Sequence, residues 1–292
     1  MGNLEKEFLS NYDENNYKRP SVTNDILIFT TEDKIEKNQR KVPNKGMQIL
    51  LIKRDNHPDK GKWSLPGGFI EIDEGLEESA KNKLREKTGI DNVYIEQLYT
   101  FGDLDRDKRT RVISIAYMAL IEKDKIQKVH SKNLKEIKWF WIDKKIIESL
   151  EKDKLFINKY SLELISEDGL DKIQYTVLEE ISKDLINNKK VSYEYNDVSN
   201  DMLSFDHYKI IDYGIDRIRN KVEYTSIAFN LLPRLFTVKE LQNVYEAIIG
   251  REILNFRRKM GDMIIETDEV IEGKPFRPAK VFRFNEKWKH NF

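Results

Sequence analysis

Side chains able to do chemistry concentrate in two stretches of this chain. In the first, Arg54 ends an apolar run and leads into the glycine-punctuated segment Gly61-Lys62-Trp63-Ser64-Leu65-Pro66-Gly67-Gly68-Phe69. A guanidinium placed there suits phosphate, because its planar fork gives bidentate bonds. Beyond the glycines, Glu71, Asp73, Glu77 and Glu78 read as solvent-facing acids, and the loop Phe101 to Arg109 is dense in charge. Arg106 and Asp107 are that loop's candidates for touching a ligand, and Trp63 and Phe101 either stack on a base or belong to the core. The second stretch is basic in stripes. Four bases and one acid lie between Arg251 and Lys259, five acids and no base between Gly261 and Gly273, and six bases and one acid between Lys274 and Lys289. Such local stripes, and not the net charge, are what meets phosphate.

The remaining composition narrows the classes. The chain has 292 residues, 51 basic and 51 acidic, for a formal net charge of zero. It contains no cysteine, which removes disulfides, thiol nucleophiles and Cys-based zinc sites together. His57, His130, His207 and His290 show no ligand spacing. No apolar run approaches the roughly 18 residues of a membrane span. No signal peptide opens the chain, and Lys6 stands where a myristoylation signal after Gly2 needs Ser or Thr. The expectation is a cytoplasmic protein with no membrane partner.

The elements that must position these groups follow from periodicity. Val22 to Phe29, Met47 to Ile52, Val112 to Ile121 and Lys138 to Ile142 read as strands, with residues 31–46 as a loop. Leu76, Ala80 and Leu84 repeat at helical spacing, and Gly89 is placed to cap that helix. Ile173 to Ile186 reads as an amphipathic helix, Lys190 to Tyr195 as strand or loop, and His207 to Asn220 as a helix. Thr237-Val238-Lys239-Glu240 fits a capping box, with Phe236 and Leu241 as its hydrophobic staple. Leu241, Val244, Tyr245 and Ile248 form one stripe that Gly250 ends. A second helix, Glu252 to Met260, turns Ile253, Phe256 and Met260 inward and brings Asn255, Arg258 and Lys259 together on its other side. Met263 to Glu272 and Ala279 to Phe284 then read as a hairpin, and the order helix, basic helix, basic hairpin describes a winged helix-turn-helix.

The segment from Gly61 onward resembles the entry to the Nudix box, G-x5-E-x7-R-E-U-x-E-E-x-G-U with U apolar. Aligned on Gly68, the chain keeps Glu74, Leu84, Glu86, Gly89 and Ile90, but Asn82, Lys83 and Lys87 replace Arg, Glu and Glu. In that family clustered carboxylates hold divalent cations against a pyrophosphate, which an activated water cleaves. Two acid-to-lysine changes move the local charge by four units, and each unit pair at 4 Å is worth roughly 4 kcal/mol at an effective dielectric near 20. Mg²⁺ binding by Glu86 alone is therefore not expected. Lys83 and Lys87, one turn apart, either touch the pyrophosphate in the metal's place or are solvated helix charges. The resemblance also places the loop containing Phe101, Arg106 and Asp107, with Gly67 and Gly68, beside the ligand.

The segments Leu203-Ser204-Phe205-Asp206-His207 and Val222 to Pro233 are similar to the Nudix-related transcriptional regulators of NAD metabolism or sugar use. The similarity continues through Tyr245-Glu246-Ala247-Ile248 and Asn255-Phe256-Arg257-Arg258-Lys259 to Arg277-Pro278-Ala279. It implies an α+β chain: a Nudix α/β/α sandwich with a mixed sheet over residues 1–225, then a winged helix over residues 226–292. It also implies a homodimer on a palindromic site in double-stranded DNA and a nucleotide effector such as ADP-ribose. Asn255, Arg257 and Arg258 with Lys259, Arg277 and Lys280 are the expected DNA contacts. No cofactor is expected of a regulator. The alternatives are a Nudix pyrophosphatase using Glu74 and Glu86 with Mg²⁺, and a regulator whose effector is a sugar.

Overall fold

The computed structural model describes residues 3–35, 42–89, 93–123, 136–183, 187–196, 198–269 and 280–289. After the short helix α1 (Asn3–Asn11), the expected apolar runs form strands. They are β1 (Ser21–Asp33), β2 (Lys45–Lys53), β3 (Trp63–Ser64), β4 (Gly67–Phe69), β5 (Tyr94–Phe101) and β6 (Val112–Leu120), with helix α2 (Leu76–Thr88) between β4 and β5. A long meander follows: β7 (Ile137–Lys152), β8 (Leu155–Ser166), β9 (Lys172–Lys183) and β10 (Asn187–Tyr195). The sheet order is β10-β9-β8-β7-β2-β1-β6-β5, with β3 on β2 and β4 on β1. Among the described strands only β1 and β6 pair in parallel, so the sheet is mixed.

Both faces of this sheet are covered, which is why its central strands are apolar without alternation. On one face Ile26, Ile28, Tyr117 and Ala119 pack under Ala80 and Leu84 of α2. On the other, Leu27, Phe29, Ile49, Leu51 and Met118 pack under the helix α3 (His207–Lys221). That second core continues without interruption into α4 (Val238–Ile249) through Leu241, Val244 and Ile248. Gly214 permits the close approach of α3, since a Cβ there would come within 2.4 Å of Leu27 Cδ2.

Three expectations need correction. The amphipathic helix expected over residues 173–186 is not found: residues 173–183 belong to β9, with Ile173, Tyr175 and Val177 buried at every second position, and residues 184–186 lie outside the described residues. The repeat of 2 was present in Ile-x-Tyr-x-Val, but the fourfold spacing Ile173, Val177, Ile181 imitates a helix. The loop read over residues 31–46 loses both ends, because β1 and β2 pair from Phe29↔Ile49 out to Asp33↔Lys45. The second C-terminal helix shrinks to α5 (Phe256–Met260), because Asn255 stands before it with φ 55° in the left-handed region.

Around α4 and α5 a small sheet closes in the order β11-β13-β12, made by β11 (Phe236–Thr237), β12 (Ile264–Thr267) and β13 (Val281–Phe284). Thr237 ends β11 and caps α4, its hydroxyl accepting the Glu240 amide while Glu240 reaches back to the Thr237 amide. The hairpin is thus present, with a third strand that the sequence left unread. Among the described residues no helix is long and apolar enough to cross a membrane.

Candidate ligand pocket and nucleic-acid interface

The turn from β3 through β4 sets the floor of a cavity of about 150 Å³, lined among others by Arg54, Gly67, Gly68, Arg106, Asp107 and Arg109. Gly67 is required by the approach of β4 to β1: a Cβ would fall 2.1 Å from the Asn24 carbonyl oxygen. The wall opposite comes from residues 205–207, just before and at the start of α3, which brings Phe205 and His207 to the same cavity. Five of the expected ligand residues therefore converge: Arg54, Gly67, Gly68, Arg106 and Asp107.

Two cations remain directed at this space. The Arg54 guanidinium lies over the Phe205 ring at 4.7 Å, and its Nε donates to the Pro58 carbonyl at 3.0 Å. Arg109 lies 5.8 Å from the same ring and 5.3 Å from Phe69. Burial, then the neighbouring charge of Arg109, lowers the Arg54 pKa from its ordinary value. Asp107 offsets the Arg109 charge, so the Arg54 guanidinium over its aromatic face is the cation with no carboxylate bonded to it among the described contacts, and it suits an anion.

Arg106 has a different occupation. It is buried, its Nε and Nη2 donate to the two Asp206 oxygens at 3.1 and 2.8 Å, and Nη2 lies 3.4 Å from Asp25. This fork ties the loop to α3. Asp107 likewise turns onto its neighbour, accepting from the Arg109 amide at 2.9 Å and its guanidinium at 2.7 Å. His207 Nδ1 accepts the Leu65 amide at 2.9 Å, which places that ring's proton on Nε2, 3.4 Å from Asp25. Ser114 donates to Asp25 as well. Burial raises the Asp25 pKa, but His207, Ser114 and Arg106 outweigh it and hold the group at about 2.

The remaining expected ligand residues stand apart. Lys83 on α2 lies against Gly68, to whose Cβ position its Cε would come within 3.2 Å, but it is not part of the cavity lining. The Lys87 ammonium bonds Glu86 at 2.5 Å. Phe101 packs edge-on against Tyr99 and Tyr213 at 5.3 and 6.0 Å, outside the cavity lining. Trp63 is fully buried against Phe140. Glu71, Asp73, Glu77 and Glu78 are exposed.

The Nudix fold implies a divalent cation on α2, and these residues do not fit one. Lys87 neutralises Glu86, and the Asn82 amide occupies Glu74 at 2.8 Å, holding its pKa below the ordinary value. Among the described residues no three His, Cys, Asp or Glu side chains converge as a metal site.

Sequence reasoning passed over Arg109, Phe205 and Asp25 as site residues. Arg109 stood in the charged loop with the same chemistry as Arg106, and nothing in the sequence says which of two arginines turns inward. Phe205 is separated from Arg54 by 151 positions, and only the return of the chain onto β3 brings them together.

At the other end, α5 exposes Arg257, Arg258 and Lys259 while burying Phe256 and Met260. Arg257 is partly engaged, with its guanidinium 5.1 Å from the Phe282 ring and a bond to the Gly261 carbonyl at 3.3 Å. It braces α5 against the wing. Lys280 pairs with Glu266 across the hairpin at 2.6 Å. Arg277 lies outside the described residues.

Fold and sites together define a Nudix domain joined to a winged helix. Family models agree: a NUDIX domain matches residues 42–160 and an NrtR DNA-binding winged helix domain residues 228–284. The chain is 31 % identical over 287 residues to the ADPR responsive transcriptional repressor NtrR of Acinetobacter baylyi, covering 96 % of this chain and 88 % of that protein. It belongs to the NrtR family of Nudix-related transcriptional regulators. Shewanella oneidensis NrtR complexed with a 27mer DNA is similar with TM-score 0.58 at 27 % identity, over 90 % of this chain and 93 % of that one. A MutT/nudix family protein from Enterococcus faecalis shares the fold, with TM-score 0.66 at 24 % identity over 98 % of this chain and 94 % of that one.

Proposed function

We propose that this chain is a DNA-binding transcriptional repressor whose Nudix domain binds ADP-ribose and leaves it uncut. The observation that carries this reading is the pair Arg54 and Arg109 over Phe205, in a cavity where, among the described residues, no three potential metal ligands converge. Cations without a metal site hold a pyrophosphate and give no activated water to cleave it. The similarity to an ADPR-responsive repressor over nearly the whole chain supports the same effector. The cavity, about 150 Å³, is smaller than the roughly 300–1,000 Å³ usual for such ligands.

In this reading residues 1–225 form the sensing part and residues 226–292 the DNA-binding part. Asn255 and Arg258 read base edges, Lys259, Lys280 and Arg277 attend the phosphates, Arg257 steadies α5 on the wing, and a homodimer in the cytoplasm meets a palindromic site. No resident cofactor takes part.

The test is a phosphorus NMR titration with ADP-ribose, with and without Mg²⁺. Shifted signals and no AMP over hours are expected. Steady release of AMP would make the chain a hydrolase, and silence in both would turn the search for the effector to sugars.

A further inference from the structure

The helix α3 reaches from the pocket to the DNA-binding part, and both of its ends are anchored by unusual contacts. At the pocket end Phe205 holds φ 51°, a conformation that a bulky side chain adopts only under constraint. Its amide donates to Asp59 at 3.1 Å and its ring lies against Arg54 and Arg109. Asp206 grips Arg106 by two bonds, and Lys209 on the first turn pairs with Asp103 of the same loop at 2.5 Å. Anything that moves the loop of residues 102–111 therefore pulls on the start of α3.

At the far end Arg219 spans two structures. Its Nε donates to the Ile248 carbonyl, one of the carbonyls that the last turn of α4 leaves without a helical partner. Its Nη2 donates to the Lys144 carbonyl of β7 at 3.0 Å. Gly250 ends α4 with φ 79°, and a Cβ there would come 3.0 Å from Arg219 Nη2, so the C-terminus of α4 is shaped around this guanidinium. Between the ends, Ile210, Ile211, Ile215 and Ile218 bury one face of α3 in the shared core. Lys144 Nζ pairs with Asp212 and Asp216 at 2.6 and 2.7 Å. From His207 to Arg219, twelve steps along α3, the helix spans about 18 Å at 1.5 Å per residue.

We propose that α3 transmits the state of the pocket to the winged helix, and that Arg219 is the positioning residue through which it does so. Arg219 touches neither ligand nor DNA. It fixes the end of α4, after which six residues lead to α5, so a shift of α3 re-aims the exposed bases of α5. The purpose assigned to this coupling rests on the function proposed above, whereas the mechanical connection does not. Lysine at position 219 keeps the charge and loses the fork that joins two carbonyls.

The first measurement needs no ligand. Hydrogen exchange of amides 246–250 is followed in the full chain, in Asp206→Asn, in Arg219→Lys and in the double variant. Sites this far apart with no shared partner behave additively. Coupling through α3 predicts that Asp206→Asn speeds exchange at 246–250 severalfold with Arg219 present and adds nothing once position 219 is lysine. Additive responses, or no response at 246–250, would overturn the proposal. If Asp206→Asn fails to fold, Asp103→Asn, on the exposed pair with Lys209, is the milder change at the same end, read by the same criteria.

The second measurement uses ADP-ribose and a duplex selected from a random pool by the parent chain. An effector changes affinity at the second site by about 5–150-fold in typical coupled systems. Arg219→Lys should bring that ratio close to one and leave ADP-ribose affinity within about threefold of the parent's. An unchanged ratio counts against Arg219. If the parent chain itself ignores ADP-ribose, the function proposed above fails, and the exchange measurement still decides the role of α3.

Discussion

Asp25 is the most constrained ionisable group in the pocket. Its carboxylate is held at about 2 by His207, Ser114 and Arg106 against the opposing pull of burial, from an ordinary value of 3.8. A folded pKa below the unfolded one contributes stability that is complete above the unfolded value and fades as pH falls through the folded one. The contribution, about 2 kcal/mol from that difference, should be constant above pH 5 and vanish between pH 4 and 2. Melting curves of the parent and Asp25→Asn should therefore differ most near neutrality and approach each other in acid; parallel curves down to pH 2 would show that Asp25 titrates normally. The ligand contacts separate at the same scale. Arg54→Ala removes a charged donor and should weaken ADP-ribose by about 1.5–3 kcal/mol in calorimetry. Lys83→Ala and Lys87→Ala should both leave the affinity unchanged, because Lys83 lies outside the cavity lining and Lys87 is committed to Glu86. A clear loss in either variant would contradict this placement.

At the scale of elements, α4 was the most legible part of the chain. A capping box, a single apolar stripe and a terminal glycine all agreed, and the structure realises each. Consistency between local signals is what makes an element readable. Residues 173–183 lacked it, because fourfold and twofold spacings coexist there and only pairing with β8 and β10 selects the strand. The candidate site was half legible for the same reason. Glycines and arginines near the Nudix-like segment are local signals, whereas Phe205 and Asp206 join the site through the return of the chain onto β3. Removing the cap by Thr237→Ala should cost about 1 kcal/mol in chemical denaturation. Gly250→Ala should cost more than that, since it adds a Cβ at positive φ and presses it on Arg219. A neutral Gly250→Ala would mean that the end of α4 is looser than its geometry implies.

The whole molecule carries no net charge, yet its C-terminal part is arranged for a polyanion. Arg258 and Lys259 are exposed on α5, and the acids nearest in sequence lie in the separate block from Asp262 to Glu272. Affinity for DNA should therefore fall as salt rises, with log K changing by about 0.9 per phosphate neutralised for each unit of log salt. That slope counts contacts and separates their kinds. Arg257 is stacked on Phe282, so Arg257→Ala acts through the brace between α5 and the wing. Arg258 has no such internal bond among its described contacts, and on a base edge its removal should cost about 1–3 kcal/mol and relax preference at one position. Lys259→Ala should instead weaken all sequences alike and flatten the slope by about 1. Anisotropy titrations of selected and random duplexes at several salt concentrations distinguish these outcomes. A uniform loss for Arg258→Ala, with a flatter slope, would reassign it to the backbone and leave Asn255 as the reader of bases.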